Sequence, residues 1–191
     1  MTFFLFCVIA YIIGSIPVGK IVAKYKGIDI QEKGTGNIGA SNTYLVLGKK
    51  AGMFVLISDV GKAFFMMQLS LYMLPIGQAI VSGMFLLMGN LRSMFLKFSG
   101  GKGVATVLGI FLATEPIAAL VCVAFWGVTT IFIKYISLMS IVGSLAVPFT
   151  YYRYDHDLFT AGCAFLMCVL VLLKHKTHFQ LKTRGTEVQK A

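Results

Sequence analysis

Two glycine-rich runs carry the residue types that hold an anion: GTGNIGASN, from Gly34 to Asn42, and SGGKG, from Ser99 to Gly103. Glycine lets successive backbone N–H groups turn toward one point at little steric cost. Gly34, Gly36 and Asn37 supply such backbone in the first run, and Thr35, Ser41 and Asn42 add side-chain donors. In the second run Gly100, Gly101 and Gly103 bracket Lys102. Gly103 is expected to open a helix, so Lys102 stands beside a helix N-terminus, where N–H groups, the helix dipole and an ammonium all favour phosphate. A glycine-rich turn joining two helices is the plain alternative for the first run alone. The second run repeats the chemistry and weakens that alternative.

Further polar residues surround these runs. Asp59 and Lys62 stand three apart inside the apolar stretch ISDVGKAFF, so a helix places them on one face. Charges at membrane depth are costly and face a protein interior or a watery cavity. They read as a pair supporting the site. The C-terminal KHKTHFQLKTRGTE brings His175 and His178 directly after an apolar run. They share a face if the helix continues, and serve better as phosphate ligands or orienting donors than as metal ligands, because no third ligand is evident. Most of the tail's positive charge reads as a solvated anchor to lipid headgroups.

Several familiar patterns fall away. GTGNIG satisfies G-x-G-x-x-G, but no βαβ unit surrounds it. GSIPVGK, from Gly14 to Lys20, has Ile21 where a P-loop needs Ser or Thr for magnesium. No G-x-S-x-G elbow and no H-x-x-x-x-D pair is present. Cys7, Cys122, Cys163 and Cys168 lie in apolar stretches without a C-x-x-C pair and read as small hydrophobic side chains. Tyr151 and Tyr152 read as membrane-interface anchors.

The elements that position these residues follow from composition. Of the 191 residues, 58% are hydrophobic and 13% charged, with a mean hydropathy of +0.84. This excludes a soluble domain and predicts an all-α, polytopic integral membrane protein forming a single domain over residues 1–191. The formal charge of +10 then belongs to loops facing anionic lipid and not to a nucleic-acid surface. MTFFLFCVIAYIIGS lacks a basic leading region and reads as a retained first span.

Apolar runs predict spans over 3–23, 51–74, 76–90, 103–114, 116–133, 135–150 and 157–173. Residues 103–133 form one long helix or two short ones broken at Glu115–Pro116. Charge decides between them. With seven transmembrane helices and the N-terminus outside, the cytoplasmic loops hold Lys20, Lys24, Lys26, Lys33, Lys49 and Lys50, then Arg92, Lys97 and Lys102. Lys134 and the basic C-terminal tail fall on the same side. Only Arg153, with Glu115, Asp155 and Asp157, remains outside. A merged helix would put the basic tail outside, against the positive-inside rule. Both glycine runs and the cytoplasmic C-terminus therefore meet at one membrane face.

The chain resembles the bacterial acyl-phosphate:glycerol-3-phosphate acyltransferases, the PlsY family. The likeness runs through GSIPVGKIV, GTGNIGASN, DVGKA, FSGGKGVAT and the tail beginning KH, in that order. It implies a multi-pass protein of the bacterial inner membrane, with the active site facing the cytoplasm and the lipid bilayer as its setting. The implied reaction moves an acyl group from acyl phosphate to the sn-1 hydroxyl of glycerol 3-phosphate, yielding lysophosphatidic acid and phosphate. It implies no cofactor: neither coenzyme A, nor a carrier protein, nor a metal. By the same resemblance Thr35, Lys102 and His175 are catalytic. Gly34, Gly36, Asn37, Ser41, Asn42, Gly100, Gly101, Gly103 and His178 hold substrate or phosphate, and Asp59, Lys62, Asn90 and Arg92 support them.

The chain departs from the family pattern in each of these segments. Leu45 stands where the family has arginine, removing a bidentate phosphate clamp, with Lys49 or Lys50 nearby as partial replacements. GNLRSMF puts Asn90 and Ser93 in place of histidine and proline, with Arg92 as a substitute cation. His178 replaces an asparagine. A catalytically impaired paralogue that binds lipid or phosphate, or an acyltransferase with another acceptor, is the alternative. A transporter has less support, because the cations gather at one surface. No pattern points to a particular oligomer.

Overall fold

Backbone in hydrocarbon must satisfy its own N–H and C=O groups, and a helix does so within a single segment. The computed structural model describes residues 1–117, 119–121, 123–124 and 158–188, with the side chains of the last stretch as far as His175. Among these residues every regular element is helical: α1 (Thr2–Ser15), α2 (Val18–Tyr25), α3 (Ala40–Leu47), α4 (Lys49–Met73), α5 (Ile76–Leu91), a 3₁₀ turn (Met94–Leu96), α6 (Val104–Thr114) and α7 (Leu158–Val188). Among the described residues four helices are long and apolar enough to cross a membrane: Thr2–Tyr25 taken through its interruption, Lys49–Met73, Ile76–Leu96 and Leu158–His175. Val104–Thr114 is apolar but shorter.

The spans expected over 51–74, 76–90 and 103–114 therefore exist as helices with nearly the expected ends, and the one expected over 157–173 starts as expected but continues as helix to Val188. The break at Glu115–Pro116 is also present. Glu115 leaves helical geometry at φ −145° and ψ 83°, and helix resumes at residue 116. The expected span over 116–133 is described only as far as residue 124, and the span over 135–150 lies outside the described residues, as do Cys122, Tyr151 and Tyr152.

The first span differs from expectation. Residues 3–23 do not form one helix, because the chain breaks at Ile16–Pro17 into α1 and α2. Pro17 has no N–H to donate, and its ring forces Ile16 into extended geometry at φ −62° and ψ 113°. The carbonyls released at the break find donors on other helices. Lys62 Nζ of α4 donates to Ile16 O at 2.8 Å and to Gly14 O at 3.4 Å. Ser93 Oγ, just past α5, donates to Ser15 O at 2.6 Å. The polar stretch expected as a loop from Lys20 to Lys50 is also more ordered. It contains most of α2 and all of α3, and Gly48, at φ +87°, turns directly into α4.

Without a hydrophobic gradient between helices in lipid, close backbone approach carries the packing. A Cβ on Gly14 would overlap Leu86 O of α5, and one on Gly89 of α5 would overlap Tyr11 O of α1. Gly109 of α6 likewise faces Val60 O of α4. Ala10, Met67, Leu87, Ile110 and Met167 fill the space between these crossings. Between α4 and α5, Ser82 Oγ donates to Ser70 Oγ at 2.9 Å.

A test separates rigid from yielding neighbours. Gly89→Ala puts its methyl against the Tyr11 carbonyl, whereas Gly83→Ala meets the flexible Met67 thioether at 2.8 Å. Thermal unfolding in detergent should show Gly89→Ala losing about 1–3 kcal/mol and Gly83→Ala clearly less.

Candidate functional site

The first glycine run closes around one buried side chain. Asn42, at 0% exposure, sends its Nδ2 hydrogens toward Ile30 O at 3.0 Å, Lys33 O at 3.0 Å and Asn37 O at 2.8 Å. Its Oδ1 accepts the Thr35 N–H at 2.7 Å. Gly34, at φ +61°, has no room for a Cβ, because Asn42 Oδ1 and Val46 Cγ2 stand where it would go. The Gly36 N–H donates to Lys33 O at 3.0 Å, and the Asn37 N–H to Thr35 Oγ1 at 3.4 Å.

This geometry corrects the expected nest of backbone donors. The N–H groups of Thr35, Gly36 and Asn37 are engaged inside the loop, since a tight turn without internal partners would leave polar backbone unsatisfied. The outward chemistry lies elsewhere. Ser41 is exposed, Thr35 and Asn37 are half-buried, and the first turn of α3, which follows Gly39 without a side-chain cap, presents its N–H groups.

The second run is held by its neighbours. The Gly101 N–H donates to Asn90 O at 2.9 Å, and a Cβ on Gly100 would overlap that same carbonyl. Asn90 Oδ1 lies 3.0 Å from where a Gly101 Cβ would stand. Lys97 and Phe98, at φ 51° and 59°, turn the chain back to reach this position. Left-handed geometry in two successive non-glycine residues costs on the order of 1–3 kcal/mol each. Gly103, at φ +85°, starts α6, and a Cβ there would press on Leu87 Cδ1 at 2.6 Å and Val171 Cγ2 at 3.3 Å. Half-buried Lys102 is thus fixed between two glycines that touch α5 and α7.

From α7, Lys174 Nζ donates to Leu91 O, the last carbonyl of α5, at 3.1 Å. His175, 8% exposed, has Nδ1 at 2.8 Å from Val171 O. A carbonyl only accepts, so this bond places a proton on Nδ1. The helix continues through 178, which meets the condition for the two histidines to share a face, and the His178 side chain lies outside the described residues. Arg92 caps α5 with its side chain exposed, while its carbonyl accepts Tyr11 Oη at 2.7 Å.

A small apolar cluster, not anticipated from the sequence, joins the two runs. Ala23, Ile30 and Ile38 are buried together, and Leu96 of the second connection packs against them with Leu47. The isoleucines on either side of GTG in an otherwise polar stretch were the available signal. Gly19 of α2 lies so close to Ile38 O that a Cβ would overlap it, and Lys20 Nζ donates to Gln31 Oε1. Asp59 and Lys62 pair as expected, Nζ to Oδ1 at 2.8 Å with side chains 10% and 12% exposed. Among the described residues the contacts of that pair go to the α1 break, with the glycine runs reached only through α2 and Ser93.

Fold and site define a multi-pass helical membrane protein with a cation-bearing, glycine-lined site at one end of its bundle. Comparison with known proteins places it further. Residues 4–185 match the family model described as glycerol-3-phosphate acyltransferase. The chain is 38% identical over 190 residues to a glycerol-3-phosphate acyltransferase of Fusobacterium nucleatum subsp. nucleatum, covering 98% of this chain and 97% of that one. Its identity to glycerol-3-phosphate acyltransferase 2 of Bacillus anthracis is 37% over 182 residues, covering 94% and 95%. The crystal structure of PlsY (YgiH), an integral membrane glycerol 3-phosphate acyltransferase, in its glycerol 3-phosphate form superposes with a TM-score of 0.89. The identity is 29%, and the match covers 97% of this chain and 94% of that one. The same protein in its lysophosphatidic acid form gives a TM-score of 0.85 at 30% identity, covering 97% and 93%. The chain belongs to the glycerol-3-phosphate acyltransferase family.

Asn42→Asp keeps the shape and the acceptor but removes both N–H donors from three loop carbonyls. Local opening of residues 34–42, read by amide hydrogen exchange, should become easier by about 1–3 kcal/mol, while α5 amides keep their protection.

Proposed function

We propose that this protein transfers an acyl group from acyl phosphate to the sn-1 hydroxyl of glycerol 3-phosphate, giving lysophosphatidic acid and inorganic phosphate. The observation that carries the reading is the fixing of Lys102 between Gly101 and Gly103, at the start of α6 and against the segment of α7 that bears His175. An ammonium beside a helix N-terminus suits a phosphate.

Acyl phosphate is a mixed anhydride and already activated, so the protein must mainly bring two anionic headgroups together and orient them. Lys102, the α3 N-terminus and the hydroxyls of Thr35 and Ser41 offset the repulsion between the headgroups. The sn-1 oxygen bonds to the acyl carbon, and the carbonyl-carbon-to-oxygen bond of the anhydride breaks with phosphate as leaving group. In this reading His175 Nε2 accepts the hydroxyl proton and passes it to the released phosphate. Asn42 and Asn90 act by holding the two loops. The basic loops and tail support an N-terminus outside, a site facing the cytoplasm and a bacterial inner-membrane location.

One observation favours the impaired-paralogue reading. Leu45, where the resemblance places arginine, is 60% exposed on α3, so no packing demands leucine there.

The decisive assay is phosphate release and lysophosphatidic acid formation by the purified protein in lipid, with palmitoyl phosphate, with and without glycerol 3-phosphate. Product that requires both substrates supports the enzyme; a folded but silent protein defeats it. Lys102→Ala should lower acyl transfer by about two orders of magnitude or more at an unchanged melting temperature. Leu45→Arg should lower KM for glycerol 3-phosphate by about tenfold, the worth of one charge-assisted phosphate contact. If turnover instead rises from near zero, the impaired-paralogue reading holds for the wild type.

A further inference from the structure

We infer that Lys62, paired with Asp59, is a positioning residue: its ammonium closes the gap in the first span and thereby sets the place of both glycine runs. The kinetic arm of this inference rests on the acyl-transfer reading above; its structural arm does not.

Lys62 is a charged side chain only 12% exposed in the middle of an apolar helix. Its contacts go to backbone. It reaches Ile16 O at 2.8 Å and Gly14 O at 3.4 Å, across the break that Pro17 makes. Asp59 holds the ammonium from the other side, in an ion pair that falls short of an aligned hydrogen bond. An ammonium has three donors, so one group can serve the carboxylate and both carbonyls.

The residues after the break carry its position to the first run. α2 starts two residues past Ile16. Its Gly19 abuts Ile38 O with no room for a Cβ and lies 3.1 Å, as a built Cβ, from Thr43 Oγ1. Any shift of α2 therefore moves the middle of GTGNIGASN. The residues before the break carry it to the second run. Ser15 O accepts from Ser93 Oγ at 2.6 Å, and Tyr11 Oη donates to Arg92 O at 2.7 Å. Both partners lie within three residues of Asn90, whose carbonyl holds Gly101. The two loops thus share one reference point, and Lys62 is the donor that α4 contributes to it.

The test compares Asp59→Asn with the double variant Asp59→Asn/Lys62→Met in lipid nanodiscs. Both lack the ion pair, and only the first keeps the Lys62 donor to Ile16 O and Gly14 O, the Val18 N–H and Ser93 Oγ remaining in each. Amide exchange of residues 34–42 should be about tenfold faster in the double variant, as expected for loss of one or two buried hydrogen bonds. Amides in the middle of α5 should exchange alike in both. KM for glycerol 3-phosphate should rise about tenfold in the double variant over the single one. Equal exchange in the two variants, or a rise spread evenly over the whole protein, would overturn the inference, because either would mark a mere folding lock. If the wild type forms no lysophosphatidic acid, the acyl-transfer reading fails and the exchange comparison alone decides. If the double variant does not fold, Ser93→Ala, which deletes the neighbouring donor to Ser15 O, is read the same way. Faster exchange in residues 34–42 or 99–103 sustains the shared reference point, and wild-type exchange in both removes it.

Discussion

A helix interrupted at membrane depth must have its freed carbonyls met by something other than water, and the rest of this structure is organised around that demand. The interruption lies at Ile16–Pro17. Its donors come from two other places in the chain, Lys62 of α4 and Ser93 beyond α5. Three otherwise separate segments are thereby tied at one junction. The ion pair with Asp59 makes a buried ammonium tolerable, and glycines allow the approach. Gly14 and Gly89 bring α1 and α5 close enough that either side chain would strike a backbone carbonyl.

The site follows from that junction. One loop hangs from α2, the other from the end of α5, and the cluster of Ala23, Ile30 and Ile38 with Leu96 keeps them adjacent. For each loop a single asparagine organises the turns, the second one reaching it from α5. Asn42 does so through its side chain, and Asn90 mainly through its carbonyl. Cations then enter from two elements: Lys102 from the second run, and Lys174 from α7, which also caps α5 and stands next to His175. An anion held here meets groups whose positions are set before it arrives, which suits chemistry that consists mostly of bringing two headgroups together.

The departures from the family pattern have different physical weights. At position 90 the backbone carbonyl does the holding, so the change of side chain leaves that contact intact. Ser93 replaces a residue that could not donate, and its hydroxyl now meets Ser15 O. Leu45 is of another kind: exposed on α3, it removes a charge without any structural return visible in the fold.

Much of the fold was legible because it depends on local rules. Apolar run length placed α4, α5, α6 and the start of α7, the proline rule offered the break at Glu115–Pro116 and charge chose it, and spacing put Asp59 and Lys62 on one face. The glycine runs announced loops that need left-handed or crowded backbone, as found at Gly34, Gly36 and Gly103. The sequence by itself therefore determined an all-helical membrane class, its family and the segments proposed to bear the site. It could not show how the loop folds inward, because Asn42 Oδ1 takes the Thr35 N–H seven residues away and its Nδ2 serves carbonyls 5 to 12 positions away. Nor could it show that Lys62 serves Ile16, 46 residues earlier in the chain. Tertiary structure decided those partners, since hydrogen bonds across such separations depend on where packed helices put their ends, which no local pattern records.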